Sequence, residues 1–100
     1  MLTVDFDKAY RQAAEMAQVA HELFEQSDRL IAVTNGVRGI WSGESADTYL
    51  AKLESLAETL KQNAKGCSDA ADEFYALIAE IQAAEAEAQN IIATVSIRGA

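Results

Sequence analysis

The sequence predicts an all-α fold, an antiparallel two-helix hairpin dimerising into a four-helix bundle. Three observations lead there. The 100 residues contain no Pro and only five Gly, and they are rich in Ala, Glu and Leu, the residues that lose least on entering a helix. Apolar residues recur every seven positions along two arms, the period at which side chains share one helix face. Breakers cluster in one stretch, Asn35 to Gly43, which holds Gly36, Gly39 and Gly43 and separates the arms. With a single domain at this length, the chain reads as a helix over about residues 6–37, a turn over about 38–43 and a helix over about 43–94.

Asp5 opens the first helix, because its carboxylate can accept from the unpaired N–H groups of the first turn, and Asp7 adds favourable charge to the dipole. Phe6, Ala13, Ala20, Ser27 and Thr34 then recur at seven-residue intervals. A second series runs from Ala9 through Met16, Leu23 and Leu30 to Val37, and a third holds Tyr10, Ala17, Phe24 and Ile31. Together they form a stripe as wide as a core-facing helix shows. Four of the five members of the first series are small, which permits close approach by another helix.

Ser42 is the expected cap of the second helix, with Glu44 and Asp47 near its first turn. Ala46, Leu53, Leu60, Cys67, Phe74, Ile81, Ala88 and Val95 form its unbroken seven-residue series. Beside it run Tyr49 to Ile91, with Asn63 among them, and a third series through Leu50, Ala57, Ala64, Ala71 and Ile78. Phe24, Leu53, Leu60 and Phe74 are the expected residues of the core and dimer stripe. Gly66 costs up to about 1 kcal/mol relative to Ala, yet the period passes through it in phase, so the arm is one helix.

At 1.5 Å per residue that arm is roughly 75 Å long, too long for a sphere whose radius of gyration would be about 13 Å. The hairpin is therefore a rod. Two packed helices cannot cover two stripes this wide, so a second hairpin is expected to complete a bundle. A fold about residue 40 sets Phe6 near residue 74 and leaves the apolar rhythm from Leu77 to Val95 without a facing helix in its own chain.

Composition excludes several functions. With 8 Lys+Arg against 16 Asp+Glu, the net charge of −8 supplies no basic footprint for nucleic acid or anionic membranes. The chain is half hydrophobic, which argues against disorder. No cationic start precedes an apolar stretch, so no secretory signal peptide is expected, and no apolar run approaches the roughly 20 residues of a membrane span. The expected life of the chain is synthesis in the cytoplasm and, if it is secreted, passage by a route that needs no signal peptide. His21 and Cys67 each stand alone, which predicts no metal site, no cofactor and no catalytic base with a nucleophile beside it. His21-Glu22-Leu23-Phe24-Glu25 lacks the second His of a zinc-protease helix. Cys67 fits a small buried hydrophobe, with an intersubunit disulfide as the alternative, and Asn63 fits a buried register-setting residue. Trp41 is expected to anchor the turn.

Trp41-Ser42-Gly43, lying between the helical arms of an acidic chain of this length, resembles the WXG family of early secreted antigenic target-like proteins, and the resemblance spans the whole chain. It implies a helical hairpin that pairs antiparallel, acts in virulence or bacterial competition rather than as an enzyme, and is exported as a folded dimer by the ATPase of a type VII secretion system. It implies further that Trp41 and Gly43 mark the turn motif and that the C-terminal segment carries an export signal. The Tyr-x-x-x-Asp/Glu form of that signal is absent, since Ala79 follows four residues after Tyr75. The helical form, apolar with an acid at +4 and apolar at +7 and +11, fits Ile81, Glu85, Ala88 and Ile92. A homodimer is favoured over a heterodimer with a related helical protein. The competing expectation is a cytoplasmic adaptor that pairs with the helical N-terminal domain of a larger LXG-type toxin. A third is a structural coiled-coil subunit unconnected with secretion.

Overall fold

Two helices account for nearly the whole chain. The structure is a computed structural model that describes residues 4–99, with side-chain surroundings through residue 96. Helix α1 spans Phe6–Arg38 and helix α2 spans Glu44–Gly99, with no strand among the described residues. They lie against one another as an antiparallel hairpin in a rod of 86 × 16 × 16 Å. Its radius of gyration of 23.7 Å is well above the roughly 13 Å of a compact chain of this length.

Asp5 caps α1, its carboxylate accepting from the Lys8 N–H at 3.0 Å. The helix runs on through Asn35-Gly36, where the sequence places the first turn signals, and stops at Gly39, whose N–H donates to the carbonyls of Asn35 and Gly36. The cap of α2 differs from expectation. Gly43, not Ser42, immediately precedes the helix, and its carbonyl accepts from the Asp47 N–H at 2.9 Å. Its φ of +115° is the reason, since only a glycine adopts that backbone without strain. Once started, α2 passes straight through Gly66 and continues beyond residue 94, because no breaker precedes Gly99.

The helices meet along a seam of small side chains. From α1 it receives Ala13, Ala20, Ser27 and Thr34, and from α2 Leu50, Ala57, Ala64, Ala71 and Ile78, with Ala46 buried near the turn. Phe24, Leu53, Leu60 and Phe74, expected in the core stripe, are only half-buried. Small residues let the two backbones approach closely, which pushes the bulky neighbouring series onto the rims of the contact. The two buried hydroxyls are satisfied: Ser27 donates across the seam to the Ala57 carbonyl at 2.8 Å, and Thr34 donates to the Leu30 carbonyl at 2.7 Å.

Register also differs from expectation. Tyr10 stacks on Tyr75, with ring centroids 6.1 Å apart, and donates to Gln82 at 3.0 Å, while Arg38 pairs with Glu54. Phe6 consequently lies in a groove formed with Gln82, Glu85, Ala86 and Gln89 rather than near residue 74. The offset arises because the first turn of α2 projects past the end of α1, which moves the fold point beyond residue 40. Ile78 is buried and Ile81 half-buried within the hairpin itself, so the unopposed part of α2 begins near residue 90, not at Leu77.

Candidate functional site

The seam divides the rod into two flanks, and the helical repeat decides what each carries. Residues three positions after each seam residue fall to one side in both helices, and residues four positions after fall to the other. The second side is cross-linked. It holds the Tyr10–Tyr75 stack, the Tyr10–Gln82 hydrogen bond and the Arg38–Glu54 ion pair, each reaching from one helix to the other.

The first side is open and apolar. Four seven-residue series run along it: Ala9 to Val37 and Gln12 to Val33 on α1, Leu53 to Ile81 and Tyr49 to Ile91 on α2. None contains a charged side chain, although 24% of the chain is charged. Two grooves indent this flank between the helices. One, of about 440 Å³, is lined by Gln12, Met16, Ala70, Glu73, Phe74 and Leu77. The other lies nearer the turn, among Gln26, Arg29, Leu30, Val33 and Leu60. Val19, Val33, Leu56 and Leu77 stand exposed beside them.

Surface area reflects the shape of the rod. The chain exposes 7547 Å², whereas a compact monomer of 10.8 kDa exposes about 5,500 Å² by the usual scaling. The excess, about 2,000 Å², follows from the elongated shape of a rod only two helices thick.

Trp41 sits at the turn end of the rod, 41% exposed, its ring 6.0 Å from that of Tyr49 and tilted by 47°. The Trp41 backbone N–H donates to the Val37 carbonyl at 2.9 Å, which fixes the turn against the end of α1. Lys52 Nζ lies over the Tyr49 ring, 5.9 Å from its centroid, and Ile40 projects almost fully into solvent. The indole, Ile40 and Tyr49, all exposed, form an apolar patch at this end.

The remaining sequence-selected residues are scattered. Ile81, of the four-residue export pattern, packs into the hairpin, whereas Glu85, Ala88 and Ile92 are exposed. Trp41 and Gly43 stand at the opposite end of the rod, so one chain does not bring the two motifs together. Ile91, Ile92 and Val95 make a further exposed apolar strip beyond the end of α1. Asn63, placed by the sequence on a core line, is exposed on the open flank, and Cys67 is half-buried there rather than enclosed. His21 is exposed and pairs with Glu25 at 2.8 Å.

Val19 and Val33 complete the open flank without having been singled out by the sequence. The signal that marks them is the absence of charge along four neighbouring series, visible once the seam is known. Among the described residues, no cluster of three or more His, Cys, Asp or Glu is placed to hold a metal ion, and no helix is long and apolar enough to cross a membrane. Comparison of the chain with protein-family models, with curated proteins and with solved structures finds no match to any of them.

Proposed function

We propose that this chain is a non-enzymatic, WXG-type hairpin protein, exported as a folded dimer by a type VII secretion machine whose membrane ATPase is its transport partner. The observation that carries the reading is the placement of Trp41-Ser42-Gly43 in the loop between two long helices, at the end of a rod with one uncharged apolar flank. The dimer is the exported unit, its open flank covered. Trp41 and Gly43 of one copy together with the Ile81–Ile92 strip of the other supply a recognition surface that an unassembled chain lacks. The unopposed end of α2, with Ile91, Ile92 and Val95 exposed, is the part free to dock on the machine.

The test is secretion from a bacterium with an active type VII system and from the same strain lacking its ATPase. The chain is expected in the medium of the first strain only. Deleting residues 90–99, which leaves every buried seam residue in place, is expected to keep the protein helical and to stop its export. Retention inside both strains contradicts the reading. The adaptor for a larger toxin instead requires a chain that is monomeric or aggregates when purified alone and becomes ordered with a helical partner domain.

A further inference from the structure

The four series of the open flank are free of charge but not of hydrogen-bonding groups. Asn63 interrupts the series of Leu56, Ala70 and Leu77 on α2, and Gln26 stands between Val19 and Val33 on α1. Both side chains are exposed, and Gln26 lines the groove nearer the turn together with Leu30 and Leu60. Neither belongs to the cross-links that bridge the opposite flank. Gln12, the third amide, lines the other groove beside Glu73, which gives it a polar neighbour in its own chain.

Position makes the first two amides a pair. Ser27 donates to the Ala57 carbonyl and Arg38 pairs with Glu54, and this register sets Gln26 at about the level of Asn63. One polar band therefore crosses an otherwise apolar flank near the middle of the paired helices. The sequence suggests that Asn63 fixes register inside a core; on the open flank it has no such task within the hairpin. A molecule that covers the flank strips water from both amides, and each then needs a hydrogen-bond partner or costs affinity.

A second copy meets that need with the same two residues. Whichever way round it lies, its polar band meets this one at a single register. Asn63 faces Asn63 and Gln26 faces Gln26 where each helix covers its equivalent, and Asn63 faces Gln26 where α1 covers α2. A shift of one heptad sets Asn63 against Leu56, Ala70, Val19 or Val33 and leaves the amides unpaired. An entirely apolar partner leaves them unpaired at every register.

We infer that Gln26 and Asn63 are the specificity-determining residues of the open flank: they select a second copy over purely apolar helices and hold the pair in one register, at a cost in affinity. The inference rests on the dimer of the proposed function and assigns the residues that decide its partner and its register, whatever its direction. Leucine at both sites binds more tightly and discriminates less.

The test mixes full-length wild-type chain, isotope-labelled to shift its mass, with N63L/Q26L. Native mass spectrometry counts the species, and circular dichroism records that each chain keeps its helicity. Mixed dimers are expected at about a tenth or less of their statistical share, because each leaves two amides facing leucine. N63Q/Q26N, which keeps an amide at both sites, is expected to mix freely with the wild type. Register is read from a spin label on Ala51→Cys in a Cys67→Ser background, an exposed site away from the open flank. One distance is expected for the wild type, and several, in steps of about 10 Å, for N63L/Q26L. Statistical mixing, or a single unchanged register in N63L/Q26L, overturns the inference and leaves the dimer and its export standing. Dimers that sort as expected but that no secretion machine exports leave the inference standing and remove the export reading. A wild-type chain that stays single at every concentration overturns the inference together with the dimer.

Discussion

The two flanks of the hairpin are drawn from the same seven-residue grid, yet one is bridged by side chains of its own chain and the other is not. On the cross-linked flank, polar and aromatic side chains reach across the seam and pair, as Tyr10 does with Tyr75 and Gln82 and Arg38 does with Glu54. On the open flank, Met16, Leu30, Leu60 and Phe74 line grooves and have no polar atom with which to close them. The difference teaches where cohesion within the chain ends. A two-helix rod buries one narrow seam, here filled with Ala, and cannot cover larger apolar residues on both of its sides.

Substitutions separate the two roles, and the largest effect belongs to the open flank. Leu60→Glu places a carboxylate in the middle of the uncharged series, where pairing would bury it without a partner. The dimer is expected to dissociate by at least a hundredfold in Kd, by analytical ultracentrifugation, with the circular dichroism of the monomer still strongly helical. Loss of helicity in proportion to dissociation would instead make the flank part of the fold.

Next in size is the seam itself. Ala64 is fully buried between the helices, and Ala64→Leu adds volume where the backbones are closest. Overpacking of this kind costs about 1–3 kcal/mol, read as a fall in thermal midpoint. Gly66→Ala is expected to act oppositely. A Cβ there meets no atom within 4 Å, so the change raises helix stability by up to about 1 kcal/mol. The smallest effect belongs to the cross-linked flank. Tyr10→Phe removes the exposed hydrogen bond to Gln82 but keeps the ring stack, at a cost of about 0.5–1 kcal/mol and with no change in dimer affinity.

Much of this architecture was legible in the sequence, for reasons that are local. Asp5 before an apolar repeat marks a helix start, and glycines at 36, 39 and 43 with none between residues 1 and 35 mark the single turn. On α1 the buried series was legible, since Ala13, Ala20, Ser27 and Thr34 are the small series that the sequence marks for close approach, but on α2 it was not. Hydropathy ranks Leu53, Leu60 and Phe74 above Ala57, Ala64 and Ala71, but close backbone approach selects the small residues and leaves the large ones for the rim. Nor was the register, because it depends on how the turn folds. Gly43 at positive φ starts α2 so that its first turn projects past α1, and this carries Phe6 along α2 to the Gln82–Gln89 groove. The site was legible in its residues more than in its location. Trp41 and Gly43 are where the sequence puts them, at the turn, whereas Ile81 proves to be half inside the hairpin and the unopposed tail is correspondingly shorter.

The most direct test of an incomplete monomer is the molar mass of the purified full-length chain, followed by light scattering on dilution through the micromolar range with helicity recorded on the same samples. A species of twice 10.8 kDa with high helicity is the result that the open flank predicts. A single 10.8 kDa rod that stays fully helical, soluble and unassociated at high concentration would contradict it, because that chain would then hold an uncharged apolar flank in water without need of a second molecule.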